Sequence, residues 1–176
     1  ESSAASDVYK RQLAVCAGSC GPGNLHLING LFDANRSQAP VLAIASHIPS
    51  AQIGQGYFQE THPDRLFEQC SVYNELVSTT DQAPRVFSTA IRYAVGRSGV
   101  SVVTLPGDLA DEDASVDAPA IGTLRRSPKV PSEATIAEFA AEVNKASKIA
   151  LFVGAGAKGA HDTVVEFADK VAAPIG

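Results

Sequence analysis

Residues 13–24 read Leu-Ala-Val-Cys-Ala-Gly-Ser-Cys-Gly-Pro-Gly-Asn. The apolar run Leu13–Ala17 shows no alternation and stops at Gly18. A short unbroken apolar run ended by a turn residue fits a strand buried on both faces, as in a parallel sheet. After the Gly-Pro-Gly turn the period changes. Leu25, Ile28, Leu31 and Phe32 recur at steps of three and four between Asn24 and Asn35, which predicts a helix with one apolar face. Strand, tight turn and helix form the unit from which parallel sheets are assembled.

The same punctuation recurs outward from this unit. Pro40 precedes a second buried run, Val41–Ala45 (VLAIA), and Val100–Leu105 (VSVVTL) is a third, ended by Pro106-Gly107-Asp108. Between them lie a loop over Ser46–Thr61 and one or two helical turns over Pro63–Gln69. A more polar strand follows over Val72–Val77, then a helix that Asp81 would cap, with Pro84 in its first turn. Phe87, Ala90, Ile91 and Ala94 line its apolar face. Alternating strands and helices predict an α/β fold, a parallel sheet with helices on both faces.

From Ala110 to Pro131 acids and prolines dominate, and residues 111–131 read as a linker. Ser132 and Thr135 then open a helix with Ile136, Phe139, Ala140 and Val143 on one face. A strand over Ile149–Val153, the turn GAGAKGA and a helix carrying Val164, Phe167, Ala168 and Val171 follow, and Pro174-Ile175 enters another strand. The expected organisation is a polar leader at 1–12, a first α/β domain over 13–110, the linker, and the start of a second, Rossmann-like domain over 132–176. The chain contains no methionine, so it is expected to be an internal piece of a longer one. A second domain of one β-α unit would leave Phe139, Phe152 and Phe167 under-covered.

Composition narrows the function. The net charge is -5 and no basic stripe occurs, which argues against nucleic acid as a partner. No apolar run reaches the ~18 residues of a membrane span, and the first twelve residues lack a signal peptide's apolar stretch. The cytoplasm is the default location. Three cysteines, Cys16, Cys20 and Cys70, are an odd number and poor material for disulfides; they read as reduced, mostly buried thiols. The histidines show no HxxxH spacing, and no residue is assigned to a metal.

Three segments could carry chemistry. Gly18–Asn24 opens a helix, where unpaired backbone N–H groups attract electron-rich ligand atoms and glycines admit close approach; a plain strand-to-helix turn is the competing reading. Gly54–Pro63 (GQGYFQETHP) crowds aromatic, amide, carboxylate and imidazole groups into one loop; a solvated loop with an aromatic anchor is its competitor. Gly154–Ala160 (GAGAKGA) approximates the glycine turn of dinucleotide folds.

Taken in order, the runs LAVCAGSCGPGNLHLINGLFDANR, PVLAIASHIPSAQIGQGYFQETHP, SVVTLPGD and IALFVGAGAKGAH resemble the thiamine-diphosphate-dependent decarboxylase family. CAGSCGPGNLHLING together with GYFQETHP is similar to the pyruvate:quinone oxidoreductases (pyruvate oxidases) within it. The resemblance covers residues 13–176. It implies a pyrimidine-binding domain over 13–110 and the start of a central FAD-associated domain over 132–176. A third domain, outside these residues, would hold the ligands of Mg2+ and of the cofactor's diphosphate. Thiamine diphosphate, FAD and Mg2+ are the cofactors it implies.

By the same resemblance Gly21, Pro22, Gly23 and Asn24 approach the pyrimidine side of the cofactor. Phe58 and Gln59 face the substrate as catalytic residues, and Gly154, Ala155 and Gly156 contact the flavin. The family's catalytic glutamate precedes the first strand and has no match in residues 1–12, so Glu1 receives no role and these residues alone are expected to be inactive. The implied reaction is oxidative decarboxylation of pyruvate to acetate and carbon dioxide, with electrons passed to a quinone. The implied assembly is a homo-oligomer, a tetramer with active sites between subunits, touching the inner face of the cell membrane through a C-terminal segment outside this chain. Acetolactate synthase, whose members resemble GTDAFQE where this chain has GYFQETHP, stays open as an alternative. So do phosphate-dependent pyruvate oxidase and a non-catalytic nucleotide-binding or oligomerisation module.

Overall fold

The computed structural model describes residues 12–122, 124 and 130–176. The leader expected at 1–12 lies, except for Gln12, outside the described residues, as do residues 123 and 125–129 of the linker. The chain divides into two compact units, Glu1–Ser127 and Pro128–Gly176.

The first unit is built on four parallel strands, β1 (Ala14–Gly18), β2 (Val41–His47), β3 (Tyr73–Leu76) and β4 (Val100–Pro106), in the order β1-β2-β4-β3. Helix α1 (Pro22–Arg36) connects β1 to β2, and α3 (Ala83–Arg97) connects β3 to β4. The short α2 (Pro63–Leu66) lies in the long β2–β3 connection. The α1 and α3 crossovers run in opposite directions across the sheet. Because parallel crossovers keep one hand, reversing the direction moves the helix to the other face.

The core shows that result. On one face Leu31 of α1, with Leu27, Ile28 and Phe32, packs on Ala14, Val41, Ala43, Ala45, Val100 and Val102. On the other, Val86 and Ala90 of α3, with Phe87 and Ile91, pack on Leu42, Val77 and Val103. Successive strand residues point to opposite faces, so β2 and β4 are covered on both, and β4 is buried from Val100 to Thr104, with Ser101 and Thr104 the small polar residues it admits. The edge strands tolerate mixed character: Val15 is half exposed and Glu75 is exposed. The expected parallel sheet with helices on both faces is the fold observed.

Three local expectations change. Leu25 points to solvent and Leu27 takes its place in the core. Asp81 caps no helix: a 3-10 turn at Thr80–Gln82 precedes α3, and the Thr79 hydroxyl accepts the Gln82 N–H at 3.3 Å. The Asp81 carboxylate instead accepts from the N–H (3.1 Å) and hydroxyl (2.6 Å) of Ser115. Of the three thiols only Cys70 is buried; Cys16 and Cys20 are partly exposed. Burial pushes the Cys70 and Cys16 thiols up from their ordinary pKa.

A final short helix of this unit, α4 (Gly107–Ala110), follows β4 directly. In the second unit α5 (Glu133–Lys145) starts as expected, with the Ser132 hydroxyl accepting the Thr135 N–H at 3.2 Å. The strand expected over Ile149–Val153 contracts to a parallel bridge between Leu151 and Ile175. Three bonds join the segments, Leu151 N–H to Pro174 O, Val153 N–H to Gly176 O and Gly176 N–H to Leu151 O, all 2.9 Å. A strand extends only as far as its partner, and the described partner is Pro174–Gly176. Helix α6 (His161–Val171) stacks Phe167 against Phe139 of α5 at 6.2 Å between ring centroids. Phe152 is almost wholly exposed and Phe139 more than half. Among the described residues no helix is long and apolar enough to cross a membrane.

Candidate active-site loops at the carboxyl end of the sheet

In a parallel sheet all carboxyl ends of the strands emerge along one edge, where ligands of open α/β sheets bind. Gly18, His47 and Pro106 end β1, β2 and β4 there. Two loops from that edge meet. The turn after β1 places Gly21 as N-cap of α1, at φ 64° and ψ -113°, a conformation open to glycine and strained for other residues. The loop after β2 places Gln59 at φ 64°, a left-handed conformation costing a side-chain-bearing residue roughly 1–2 kcal/mol. A Cβ on Gly21 would stand 2.9 Å from both Cβ and O of Gln59. The Cys20 thiol donates to Gln59 Oε1 at 3.4 Å.

This geometry gives the glycines a packing role as well. The space beside Gly21 is filled by Gln59, and that beside Gly23 by the Ser19 hydroxyl. Both glycines serve packing of the chain against itself within the turn. Pro22 occupies the first turn of α1, where its missing N–H costs nothing. Asn24 is fully buried; its amide donates to Ser46 O at 2.9 Å, while Oδ1 has no hydrogen-bond partner among the described residues. Asn24 thus braces α1 against the end of β2 from beneath the turn.

Phe58 is 80% exposed and Tyr57 about half, so the loop holds two aromatic rings out while Gln59 packs on the glycine turn. Its shape comes from Glu60. One carboxylate oxygen accepts the Gly54 N–H at 2.5 Å and the other the Tyr57 N–H at 2.9 Å. These donors, with Gly56 N–H, hold the Glu60 carboxyl below its ordinary pKa. Gly54 and Gly56 themselves adopt φ 88° and 69° with no atom near an added Cβ. A shallow concavity of about 320 Å³ is lined by Gly54, Gly56, Tyr57, Glu60 and His62.

Two further groups lie at the same edge of the sheet. His47 is buried, and its Nδ1 has no hydrogen-bond partner among the described residues. Burial lowers its pKa, reinforced by His62 and opposed by Glu60 and Asp64. Asp108, just beyond β4, accepts both the N–H (2.9 Å) and the hydroxyl of Ser50, which hold its carboxyl below the ordinary value. Sequence reading placed Cys20 and Glu60 within candidate segments without singling them out, and gave His47 and Asp108 no role in the site. For Glu60 a signal existed: its carboxylate closes a short loop whose backbone N–H groups need acceptors.

In the second unit Gly154, Ala155 and Gly156 lie in a 3-10 turn region, Ala155–Ala157, and α6 begins only at His161. The glycine turn and the helix start are therefore separated, unlike the direct turn-to-helix passage expected of a dinucleotide turn. Added Cβ atoms at Gly154 and Gly156 would meet no atom, so the backbone is open to a ligand. The adjacent concavity, about 480 Å³, is lined by residues including Gly154, Lys158, His161 and Val164.

Residues 2–66 match a family model described as thiamine pyrophosphate enzyme, N-terminal TPP binding domain, a match that starts within the stretch set aside as a leader. Three curated relatives illustrate the likeness. An uncharacterized 42.6 kDa protein in the isoamylase 3' region of Pseudomonas amyloderamosa is 54% identical over 93% of this chain and 42% of its own length. Pyruvate oxidase of Lactiplantibacillus plantarum is 37% identical over 56% of the chain and 16% of its own length. Chloroplastic acetolactate synthase 2 of Nicotiana tabacum is 29% identical over 92% of the chain and 25% of its own length. The chain thus spans less than half the length of each of these relatives. The first unit, a four-stranded parallel sheet with helices on both faces, thus contains the stretch that is similar to the N-terminal TPP-binding domain of the thiamine pyrophosphate enzymes.

Proposed function

We propose that this chain belongs to a thiamine-diphosphate- and FAD-dependent enzyme that oxidatively decarboxylates pyruvate to acetate and carbon dioxide and passes the electrons to a quinone. The observation that carries the reading is the meeting of the two loops. Phe58 stands exposed beside Gln59, and Gln59 is held on the Gly21-Pro22-Gly23 turn at the carboxyl edge of the sheet. The likeness to a pyruvate oxidase supports it.

The residues present fit thiamine diphosphate in one respect: the α1 turn and the Gln59 loop meet at the carboxyl edge of the sheet and leave the Phe58 and Tyr57 rings exposed beside it. When bound, the cofactor supplies the electron sink for decarboxylation. Gly21–Gly23 shape the rim against which its pyrimidine would lie, and Asn24 keeps that rim fixed. Gln59 offers an amide for hydrogen bonding to substrate oxygens, and Phe58 fills space and excludes water. Gly154 and Gly156, where an added Cβ would meet no atom, would let a flavin phosphate approach the backbone on either side of Ala155. Mg2+, a homo-oligomer with sites between subunits, and a location at the inner face of the cell membrane belong to the same proposal.

Acetolactate synthase is the second reading, favoured by a likeness that extends over 92% of the chain. The test uses the protein expressed from its complete reading frame, with pyruvate, thiamine diphosphate, Mg2+ and FAD. Pyruvate-dependent reduction of a quinone analogue with acetate as product, sharply reduced by Phe58→Ala or Gln59→Ala, is the expected result. Acetolactate without electron transfer selects the second reading, and absence of turnover refutes both.

A further inference from the structure

We propose that Glu60 is a positioning residue, whose carboxylate templates the Gly54–Glu60 loop and thereby sets Gln59 against the glycine turn of α1. The inference rests on the reading above for its catalytic meaning, but its structural half stands on geometry alone. Both carboxylate oxygens are used, one by Gly54 N–H at 2.5 Å and one by Tyr57 N–H at 2.9 Å. Glu60 N–H closes the same ring by donating to Tyr57 O at 2.9 Å. Gly54, Gly56 and Gln59, all left-handed, lie in this short span. The two glycines adopt that conformation freely. Gln59 does not, and a side-chain-bearing residue persists there only where its surroundings over-determine it.

The surroundings are identifiable. Glu60 fixes the residue after Gln59, the Tyr57–Glu60 turn fixes those before it, and Gly21 receives its Cβ and carbonyl oxygen. An amide at position 60 has one acceptor oxygen where the carboxylate has two, so it can hold Gly54 or Tyr57 but not both in the observed arrangement. Loss of the second bond frees the loop to relax Gln59 out of its left-handed conformation. The amide of Gln59 then leaves the Cys20 thiol and the rim. Misplacement of a positioning group by about 1 Å can cost about 100-fold in rate.

The experiment compares wild type, Glu60→Gln and Glu60→Ala in the protein from its complete reading frame. Amide exchange at Gly54 and Tyr57 is measured beside the thermal midpoint, then kcat and KM for pyruvate. The expected result is exchange faster by about tenfold or more at both amides in Glu60→Ala and at one of them in Glu60→Gln, consistent with the loss of two charge-assisted bonds and of one. Exchange in β2 and β4 and the thermal midpoint stay unchanged. On the same expectation kcat falls about 10- to 100-fold, more in Glu60→Ala than in Glu60→Gln, with KM altered less. Unchanged exchange at Gly54 and Tyr57 overturns the inference. So does a loss of activity that only tracks a lowered thermal midpoint, since that marks a general fold role. Wild-type turnover untouched by either substitution refutes the inference alone; wild type inert toward pyruvate refutes the functional reading and removes the catalytic half with it.

Discussion

Replacing Asn24 by aspartate exchanges one buried NH2 group for an oxygen and leaves the side chain's size unchanged. In the wild type that NH2 donates to Ser46 O at 2.9 Å from a fully buried position. An ionised carboxylate at position 24 loses the donor and buries a charge against a carbonyl. An uncompensated buried charge costs about 3–5 kcal/mol. One term opposes this: position 24 lies in the first turn of α1, where a helix N-terminus favours an anion by about 0.3–1 kcal/mol, up to ~2 in buried geometry. Burial wins. The protonated acid, by contrast, keeps an O–H that can donate to Ser46 O, so its cost is small. The folded state therefore binds the proton more tightly than the unfolded one, and the folded carboxyl titrates above its unfolded value near pH ~4. The variant is nearest to wild type below that pH. It loses stability at about 1.4 kcal/mol per pH unit as the pH rises, until the folded carboxyl has also ionised. Urea unfolding followed by circular dichroism at about pH 4.5, 6 and 7.5 reads this directly. Asn24→Ala serves as a control whose deficit, about 1–3 kcal/mol, does not depend on pH. A gap between Asn24→Asp and wild type that stays constant with pH, or is absent near pH ~7.5, would refute the assignment of Asn24 as a buried brace.

Gly21→Ala forces a side chain into Gln59 at a backbone conformation suited only to glycine, so it should destabilise by strain of about 1–3 kcal/mol plus the overlap. Gly56→Ala, at φ 69° in open space, should cost only about 1–2 kcal/mol; equal losses in urea unfolding would remove the packing argument. Gly30→Ala in α1 meets no atom within 4 Å and should stabilise by about 1 kcal/mol through helix propensity, read in the same assay. Ser50→Ala removes the hydroxyl donor to Asp108, and the Asp108 carboxyl should titrate higher by NMR. Asp108's folded pKa is depressed, so its contribution is present above the ordinary carboxylate value near pH ~4 and lost as pH falls through the lowered one; Ser50→Ala shrinks that acid-side loss.

The two central strands were legible because both faces of the sheet are covered, which leaves no polar alternation to confuse them with amphipathic elements. β3 was harder to read because an edge strand buries less, and its residues Tyr73–Leu76 include an exposed Glu75. Strand order was not legible at all. Nothing in the residues says that the long β2–β3 connection carries the chain past the place β4 later fills, because that depends on which gaps between packed elements remain open. The helix start at Asp81 failed for a local reason. Thr79, Thr80 and Asp81 are all competent caps, and only the 3-10 turn decides that the hydroxyl two residues upstream is used.

The candidate site divides along the same line. Glycine spacing announced turns at 18–23 and 154–159, yet the same letter stands for two physical requirements. At Gly21 and Gly23 a Cβ would collide with this chain's own Gln59 and Ser19, whereas at Gly154 and Gly156 it would meet nothing. A substitution series separates the two. Alanine at the first pair should perturb stability before any ligand is added. Alanine at Gly154, where φ is -93°, should leave stability nearly unchanged and weaken only what binds against the backbone there. Flavin retention measured beside urea unfolding makes that distinction, and a Gly154→Ala protein that unfolds early while keeping its flavin would show that the open face serves the fold rather than a ligand.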